Sequence, residues 1–260
     1  VGGVTVSPVL AAGTRHVWSA QEKGVLASAA RTALHCGVGS AWTLRMWEHD
    51  VELHERFHAT SWHHEGAGRD RVIACGAALA GVVVAVRVLG WLPEIMMLGD
   101  AARPELVATV GARARHRPSA RDVRWFKAGF GRRWHRGTLD PEELDPALVD
   151  ELVCAGTGQG VSVVPVSAFA PGNRKQPLEP GLLIVTAADG RRDQVAAGVA
   201  MQHCALAASA RGLTAEPRTG PFQFREFRRR VLRGRGLSGS PQLLLRLGER
   251  GPVEPGSRQG

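Results

Sequence analysis

One glycine-centred helical pattern is written twice in this chain, at Gly76 to Gly90 and again at Gly198 to Gly212. Gly76 and Gly198 are 122 positions apart, as are Gly90 and Gly212, and the same register pairs Ala78 with Ala200 and Ala85 with Ala207. Both stretches open on Gly-x-Ala and close on Gly. In each half a helical segment and then a strand-like run precede the pattern. Small residues on one helix face let two backbones approach closely, so the copies are expected to pack together as the central pair of a pseudo-symmetric core. The expectation is an internally duplicated α+β protein, with a first half at 1–121 including a connector and a second half at 122–260.

Periodicity fills in the rest. A helix is expected over Ser19 to Leu34, with Ser19 as N-cap and Val25, Leu26, Ala29, Ala30 and Ala33 on its apolar face. Short strands follow at Trp42 to Trp47 and Val51 to Leu53, and the His-rich segment from His54 to Gly68 reads as loop. The first long helix covers Arg71 to Leu89, with Gly90 in the C′ role and a strand at Ile95 to Leu98. Ala101 to Arg121 reads as a connector with a short helix at Pro104 to Val110. The second half offers helices at Asp122 to Arg132 and Asp145 to Ala155 and strands at Val161 to Val166 and Leu182 to Thr186. The second long helix, Asp193 to Arg211, and a last strand, Leu243 to Leu247, complete it.

Composition narrows the function classes. At 260 residues and 44% apolar the chain can bury a substantial core. The longest apolar run, Val72 to Val86, is short for a membrane span, so no membrane partner is expected. The opening VGGVTVSPVL lacks a basic leader and a long apolar run, which leads to the expectation of a cytoplasmic protein. Cys36, Cys75, Cys154 and Cys204 are far apart with no CxxC, which speaks for reduced, mostly buried thiols. The net charge of +9 points to acidic partners. Only Lys23, Lys127 and Lys175 are lysines, however, and the arginine excess accompanies abundant Ala, Gly and Val as in a GC-rich coding bias. No nucleic-acid reading motif accompanies the charge, so nucleic acid is not expected as a partner.

Three local motifs carry possible chemistry. His54-Glu55-Arg56-Phe57-His58 is a literal HExxH with His64 further on, the ligand pattern of zinc proteases. That chemistry needs a helix, whereas the segment follows Val51-Glu52-Leu53 and has no apolar helical stripe. His54, His58 and His64 therefore stand as a subordinate zinc-hydrolase alternative, and no metal is expected. Arg132-Arg133-Trp134-His135-Arg136 clusters guanidinium groups that can grip a phosphate bidentately, with Arg258 as a further donor. Phe224 to Arg235 is a basic helix, read as a solvated face. No GxSxG elbow, P-loop or GxGxxG after a strand is present.

The order of these pieces resembles the nitroreductase-like superfamily, in its internally duplicated Acg-type branch of FMN-binding oxidoreductases. The resemblance runs along most of the chain. It is carried by DVELHERFH, RDRVIACGAALAGVVVAVRVLGW, FGRRWHRGTLD, LLIVTAADGRRDQVAAGVAMQHCALAASARGL and SPQLLLRLG. The resemblance implies an α+β nitroreductase-like fold, in which two halves each pack a central helix on a mainly antiparallel sheet and a single chain acts as its own dimer or forms a homodimer. It implies FMN at the seam between the halves, with Arg132, Arg133, Arg136 and Arg258 around its phosphate. Trp42, from the counterpart of a flavin-seating stretch, and the loop beginning Leu213-Thr214 would lie near the ring. NADH or NADPH would be the electron donor and a small molecule the acceptor. The catalytic residues stay unassigned, and a flavin-holding stress protein without turnover is the alternative.

Overall fold

The computed structural model describes residues 15–36, 41–56, 65–97, 102–131, 135–167 and 178–251, without the side chains of 65–67 and 135–136. The chain begins with α1 (Ala20–Ala30), whose N-cap Ser19 and Glu22 form a reciprocal capping box. Then come β1 (Trp42–Met46), β2 (Val51–Glu55), α2 (Glu65–Val88), β3 (Trp91–Met97) and β4 (Leu106–Arg115). After α3 (Ala120–Gly129) and β5 (His135–Leu139), the later elements are α4 (Pro146–Gly156), β6 (Val161–Val166), β7 (Gly181–Thr186), α5 (Arg191–Ala210), β8 (Leu213–Arg218), α6 (Arg225–Arg235) and β9 (Ser240–Arg250).

Two antiparallel sheets result. The first has the order β1-β2-β4-β3, and the second β6-β7-β9 with β5 and β8 both pairing with β9. Read as β6-β7-β9-β8, the second sheet follows the same course as the first: helix, two strands, long helix, two strands. The mixed helix and antiparallel-sheet expectation is met. The helix α2 packs on the first sheet, α5 on the second, and the two helices pack against each other.

The contact between α2 and α5 explains the repeated glycines. A Cβ on Gly76 would lie 2.1 Å from the Val195 carbonyl oxygen, and one on Gly198 would lie 1.9 Å from the Ile73 carbonyl oxygen. Each glycine faces the backbone three residues before the other, which is the reciprocity of a two-fold contact. Only glycine fits at either place. Gly90 and Gly212 end the two helices with φ of 87° and 84°, the left-handed conformation expected of C′ residues. The interior around this pair is built from Ala and Val of α2, Ala, Met201 and Leu206 of α5, and the inward residues Leu53, Val110, Ile184 and Leu245 of the sheets.

The structure corrects several expectations. Pro104 to Val110 is not a helix: β4 runs through Leu106–Arg115, because Ala108, Thr109 and Val110 pair with β2 on one edge and β3 on the other. Leu213 to Pro217 is not a loop but β8, laddered along β9. His54 and Glu55 end β2 rather than opening a loop, and α2 starts earlier than Arg71. Its stretch Gly68–Val88 is long and apolar enough by composition to cross a membrane, contrary to the reading of Val72 to Val86, yet 89% of that window is buried within the protein. Of the thiols, Cys36, Cys75 and Cys204 are buried and Cys154 is exposed. The expected junction at 121/122 falls in the first turn of α3, which packs on both long helices.

The outer faces of the two sheets differ. On the second, α6 and the 3-10 turn Gly220–Gln223 cover an apolar layer of Val166, Leu183, Val185, Phe222, Val231 and Leu244. On the first, the residues of β2 that alternate with core Val51 and Leu53 are Glu52 and His54, both buried. The Glu52 carboxylate accepts hydrogen bonds from Trp47 Nε1 (2.9 Å), His54 Nε2 (3.1 Å) and Arg103 Nη1 (2.7 Å). Burial alone would raise this carboxyl, but those three bonds outweigh it and hold its pKa at about 2.

Candidate functional site

The two segments that the sequence marks for a ligand are approached by elements docked on the C-terminal half of α5. After α1, the turn Thr32 to Cys36 is fastened by Gln202, a fully buried side chain: Leu34 N–H donates to its Oε1 (2.9 Å), and its Nε2 donates to the Thr32 carbonyl (3.3 Å). Cys36 Sγ lies 4.0 Å from Met201 Sδ. This turn leads directly into the Val38 to Trp42 stretch. On the other side, α3 ends at Gly129, where a Cβ would lie 3.0 Å from Thr32 Oγ1 and 3.4 Å from Leu206. Gly131, which leads into the arginine cluster, stands beside Arg250. Thus Thr32 and Gly129, each a few residues before one of the two motifs, touch.

Arg250, the last residue of β9, ties the corner together. Its Nη2 donates to the Ser209 carbonyl (2.7 Å) and to Ser209 Oγ (2.5 Å), and Ser209 Oγ donates to the Ala128 carbonyl (3.3 Å). Arg250 Nε is buried without a hydrogen-bond partner. The negative carbonyl ends of α3 and α5 meet here, so a cation is favoured. Across β9, Arg136 on β5 and Leu213 on β8 are both in register with Glu249, and Thr214 is opposite Gly248. Arg136, Leu213, Thr214 and Arg250 therefore share one end of the second sheet. Trp42 does not join them there. It is on the edge strand β1 of the first sheet, opposite Glu55, half-buried against the main core. Arg132, Arg133, His58, His64 and Arg258 lie outside the described residues, as does the side chain of Arg136.

From this corner β8 leads away, and Thr219, just past its end, reaches Asp70 of α2. Thr219 Oγ1 (3.0 Å) and Gln223 Nε2 (3.2 Å) both donate to Asp70 Oδ2. Asp70 is 4% exposed, and its Oδ1 is buried with no partner. Burial pushes its carboxyl up, against the hydrogen bonds from Thr219 and Gln223 and the charge of Arg69. Asp70 also lies near Cys36, whose thiol is pushed up to about 12 by burial and then by that carboxyl. The seam thus has Arg250 at one end and Asp70 at the other.

Beyond Asp70 each long helix sends an arginine to the opposite sheet. Arg69 of α2 donates to Asp189 Oδ1 (2.7 Å) and to the Gln242 side chain, and Arg191 of α5 donates to Glu55 Oε2 (2.8 Å) and to the Pro104 carbonyl. Arg71 Nε completes the Glu55 carboxylate (3.0 Å), and Arg228 Nη2 that of Asp189 (2.8 Å). Arg69 and Arg191 are themselves 122 positions apart. These cations tie α2 to the β7–α5 turn and β9, and α5 to β2 and the residue before β4. Glu55, the glutamate of the HExxH match, is therefore held by two arginines on a strand, and no group of three metal-ligating side chains occurs among the described residues.

Sequence reasoning missed Asp70, Arg250 and Gln202. Gln202 sits in a helix rich in apolar residues, where a polar residue on the inward face is the available signal, whereas Asp70 stands between Arg69 and Arg71 and reads as one charge among several. Arg250 follows a strand in a chain so rich in arginine that one more carries no signal.

No protein-family model matches the chain, and no curated protein matches it. Among solved structures, a Thermotoga maritima protein provisionally named a nitroreductase is similar: the two are 12% identical, the alignment covers 78% of this chain and 89% of that one, and the TM-score is 0.35.

Proposed function

We propose that the chain is an internally duplicated protein that binds FMN in the seam described above and uses it as an NAD(P)H-linked oxidoreductase toward a small-molecule acceptor. The observation that carries this reading is the contact of Thr32 with Gly129, which brings the approaches to both flavin motifs together on α5. Duplication is supported by the reciprocal Gly76 and Gly198 contact and by the matching strand orders. Bound FMN would supply hydride transfer. The protein's part is to hold and orient it.

The two ends of the seam offer such a ligand different contacts. At the Arg250 end, the convergent helix C-termini repel a phosphate, and Arg250 is already engaged by Ser209, so the dianion depends on Arg132, Arg133 and Arg136 together with Arg258. Leu213 and Thr214 border the same end. At the other end the unpartnered Asp70 oxygen offers a buried polar contact.

The counterpart position in the first half is closed. Trp91, in the place of Leu213, is stacked on His16 at 3.8 Å and lies under the Arg115 guanidinium at 3.7 Å, while its Nε1 donates to Glu22 (3.3 Å). Side chains fill the space that a second flavin would need. One flavin per chain is the consequence.

The test is the visible spectrum of the purified chain with added FMN, followed by NADH or NADPH without oxygen. Bound FMN that bleaches supports the oxidoreductase. Bound FMN that stays yellow with either nicotinamide replaces it with a flavin-holding protein, and a chain that does not take up FMN rules out both.

A further inference from the structure

The helix α6 is docked by one side only. Phe227 and Val231, one turn apart, join Phe222 and Leu237 on the apolar outer layer of the second sheet. Arg228 holds this pose, donating to Asp189 Oδ2 (2.8 Å) and to the Phe222 carbonyl (2.5 Å). The side opposite Phe227 and Val231 faces solvent, and there Arg225, Arg229 and Arg233 follow one another at four-residue steps, about 6 Å apart along the axis. All three are exposed. Like charges at this spacing repel and destabilise a helix, so the fold itself gives no reason for the row. Arg113, Arg211 and Arg218, also exposed, are each paired with a carboxylate. Among the described residues the three of the row have no such partner, and Glu226, the one carboxylate of α6, stands beside the row. Phe224, immediately before the helix, is 67% exposed, more than any other large apolar side chain among the described residues.

We infer that this ridge binds the backbone of single-stranded nucleic acid, with phosphates on Arg225, Arg229 and Arg233 and a base stacked on Phe224. Guanidinium groups grip phosphate oxygens bidentately, and a row of them can follow successive phosphates. The ring beside the first arginine supplies the stacking face that single-strand sites combine with a basic track. A contact of this kind is independent of base sequence, so it requires no base-reading motif, and the chain has none. The net charge of +9 favours the approach of any polyanion, but two others suit the ridge less well. An anionic membrane would take up the apolar face of a helix, and that of α6 is already buried on the sheet. Duplex DNA keeps its bases stacked on one another and offers none to Phe224. The inference is independent of the flavin reading, because α6 covers the face of the second sheet opposite to α5.

The experiment is the binding of a fluorescein-labelled oligothymidylate of about 12 nucleotides, followed by anisotropy over a range of salt concentrations. The full chain is compared with Arg225→Gln/Arg229→Gln/Arg233→Gln, with Phe224→Ala, and with a control of equal charge, Arg45→Gln/Arg117→Gln/Arg124→Gln. The control arginines are exposed too, but lie apart on β1, after β4 and on α3. All the changed side chains are on the surface, and thermal melting verifies that each variant is folded. Three phosphate contacts predict that log K falls with log salt concentration with a slope of about −2 in the wild type. The row variant is expected to lose about tenfold or more in affinity at low salt and most of that slope, and the control less than about threefold. Phe224→Ala is expected to lose about fivefold or more at every salt concentration and to keep the slope. A row variant that binds no worse than the control overturns the inference. So does a wild-type chain that binds phosphatidylserine vesicles but not the oligonucleotide. A Phe224→Ala chain that binds as wild type removes the stacked base, and with it the single-strand assignment.

Discussion

Trp91 and Leu213 occupy matching places, each the first residue of the strand after a long helix, yet their surroundings are opposite. Trp91 is buried in a stack with His16 and Arg115. Leu213 is half-buried at a corner where Arg136 and Arg250 also arrive. The outer faces of the sheets diverge in the same way, one polar around Glu52 and His54, the other apolar beneath α6. The common frame is kept where backbone meets backbone, at Gly76 and Gly198. Differences collect where side chains fill or vacate a space. On the proposed reading, one half has become packing for the other's site.

The frame gives the largest expected effect. Gly76→Ala and Gly198→Ala each place a methyl group about 2 Å from a carbonyl oxygen of the opposing helix, so α2 and α5 must part. Each should cost more than about 3 kcal/mol in urea unfolding, and by similar amounts. A large cost at one and a small cost at the other would break the reciprocity.

Next comes His203, which stands on α5 where α2 has Gly81. Burial, aided by Arg87 and Arg121 and opposed by Asp122, depresses its pKa from 6.5 to about 4. The ring is neutral in the folded protein, so its contribution is intact above pH about 6.5 and is lost as pH falls from there toward about 4. At about 1.4 kcal/mol per pH unit this reaches roughly 3 kcal/mol. His203→Gln should flatten the loss of stability between pH 7 and pH 4.5. An unchanged slope would move the acid-sensitive group elsewhere.

How much of this was legible in the sequence depends on what each residue answers to. Helix starts could be read locally: Ser19 sits at the N-cap expected of it, and the helix expected from Asp145 begins there, with Asp145 as its cap. The glycine pattern announced the central contact because it is a backbone requirement. The strand β4 was hidden, since Pro104 and Glu105 imitate a helix start and alanines blur the alternation, and only pairing with β2 and β3 decides the outcome. The partners of Asp70 and Gln202 come from segments 149 and 168 positions away, beyond anything spacing can indicate. The Trp91 stack is equally a tertiary fact.

Exchanging the two counterparts sharpens the comparison at smaller scale. Trp91→Leu should cost about 2 kcal/mol through the lost ring stack and cation contact, and leave FMN affinity unchanged. Leu213→Trp should leave the melting temperature near wild type while weakening FMN at least tenfold, read by fluorescence quenching. If Trp91→Leu instead creates a second flavin site, the first half is only plugged, not lost. Smallest of all is Arg113→Ala. Its pair with Glu94 is half-exposed on both sides, and removal should change stability by less than about 0.5 kcal/mol in the same unfolding assay.

The most direct measurement of the central claim is the stoichiometry of FMN on the purified full chain, by titration with the protein concentration far above the dissociation constant. One flavin per chain is expected, held at the Leu213 corner and absent from its Trp91 counterpart. Two per chain, or none, would contradict the account.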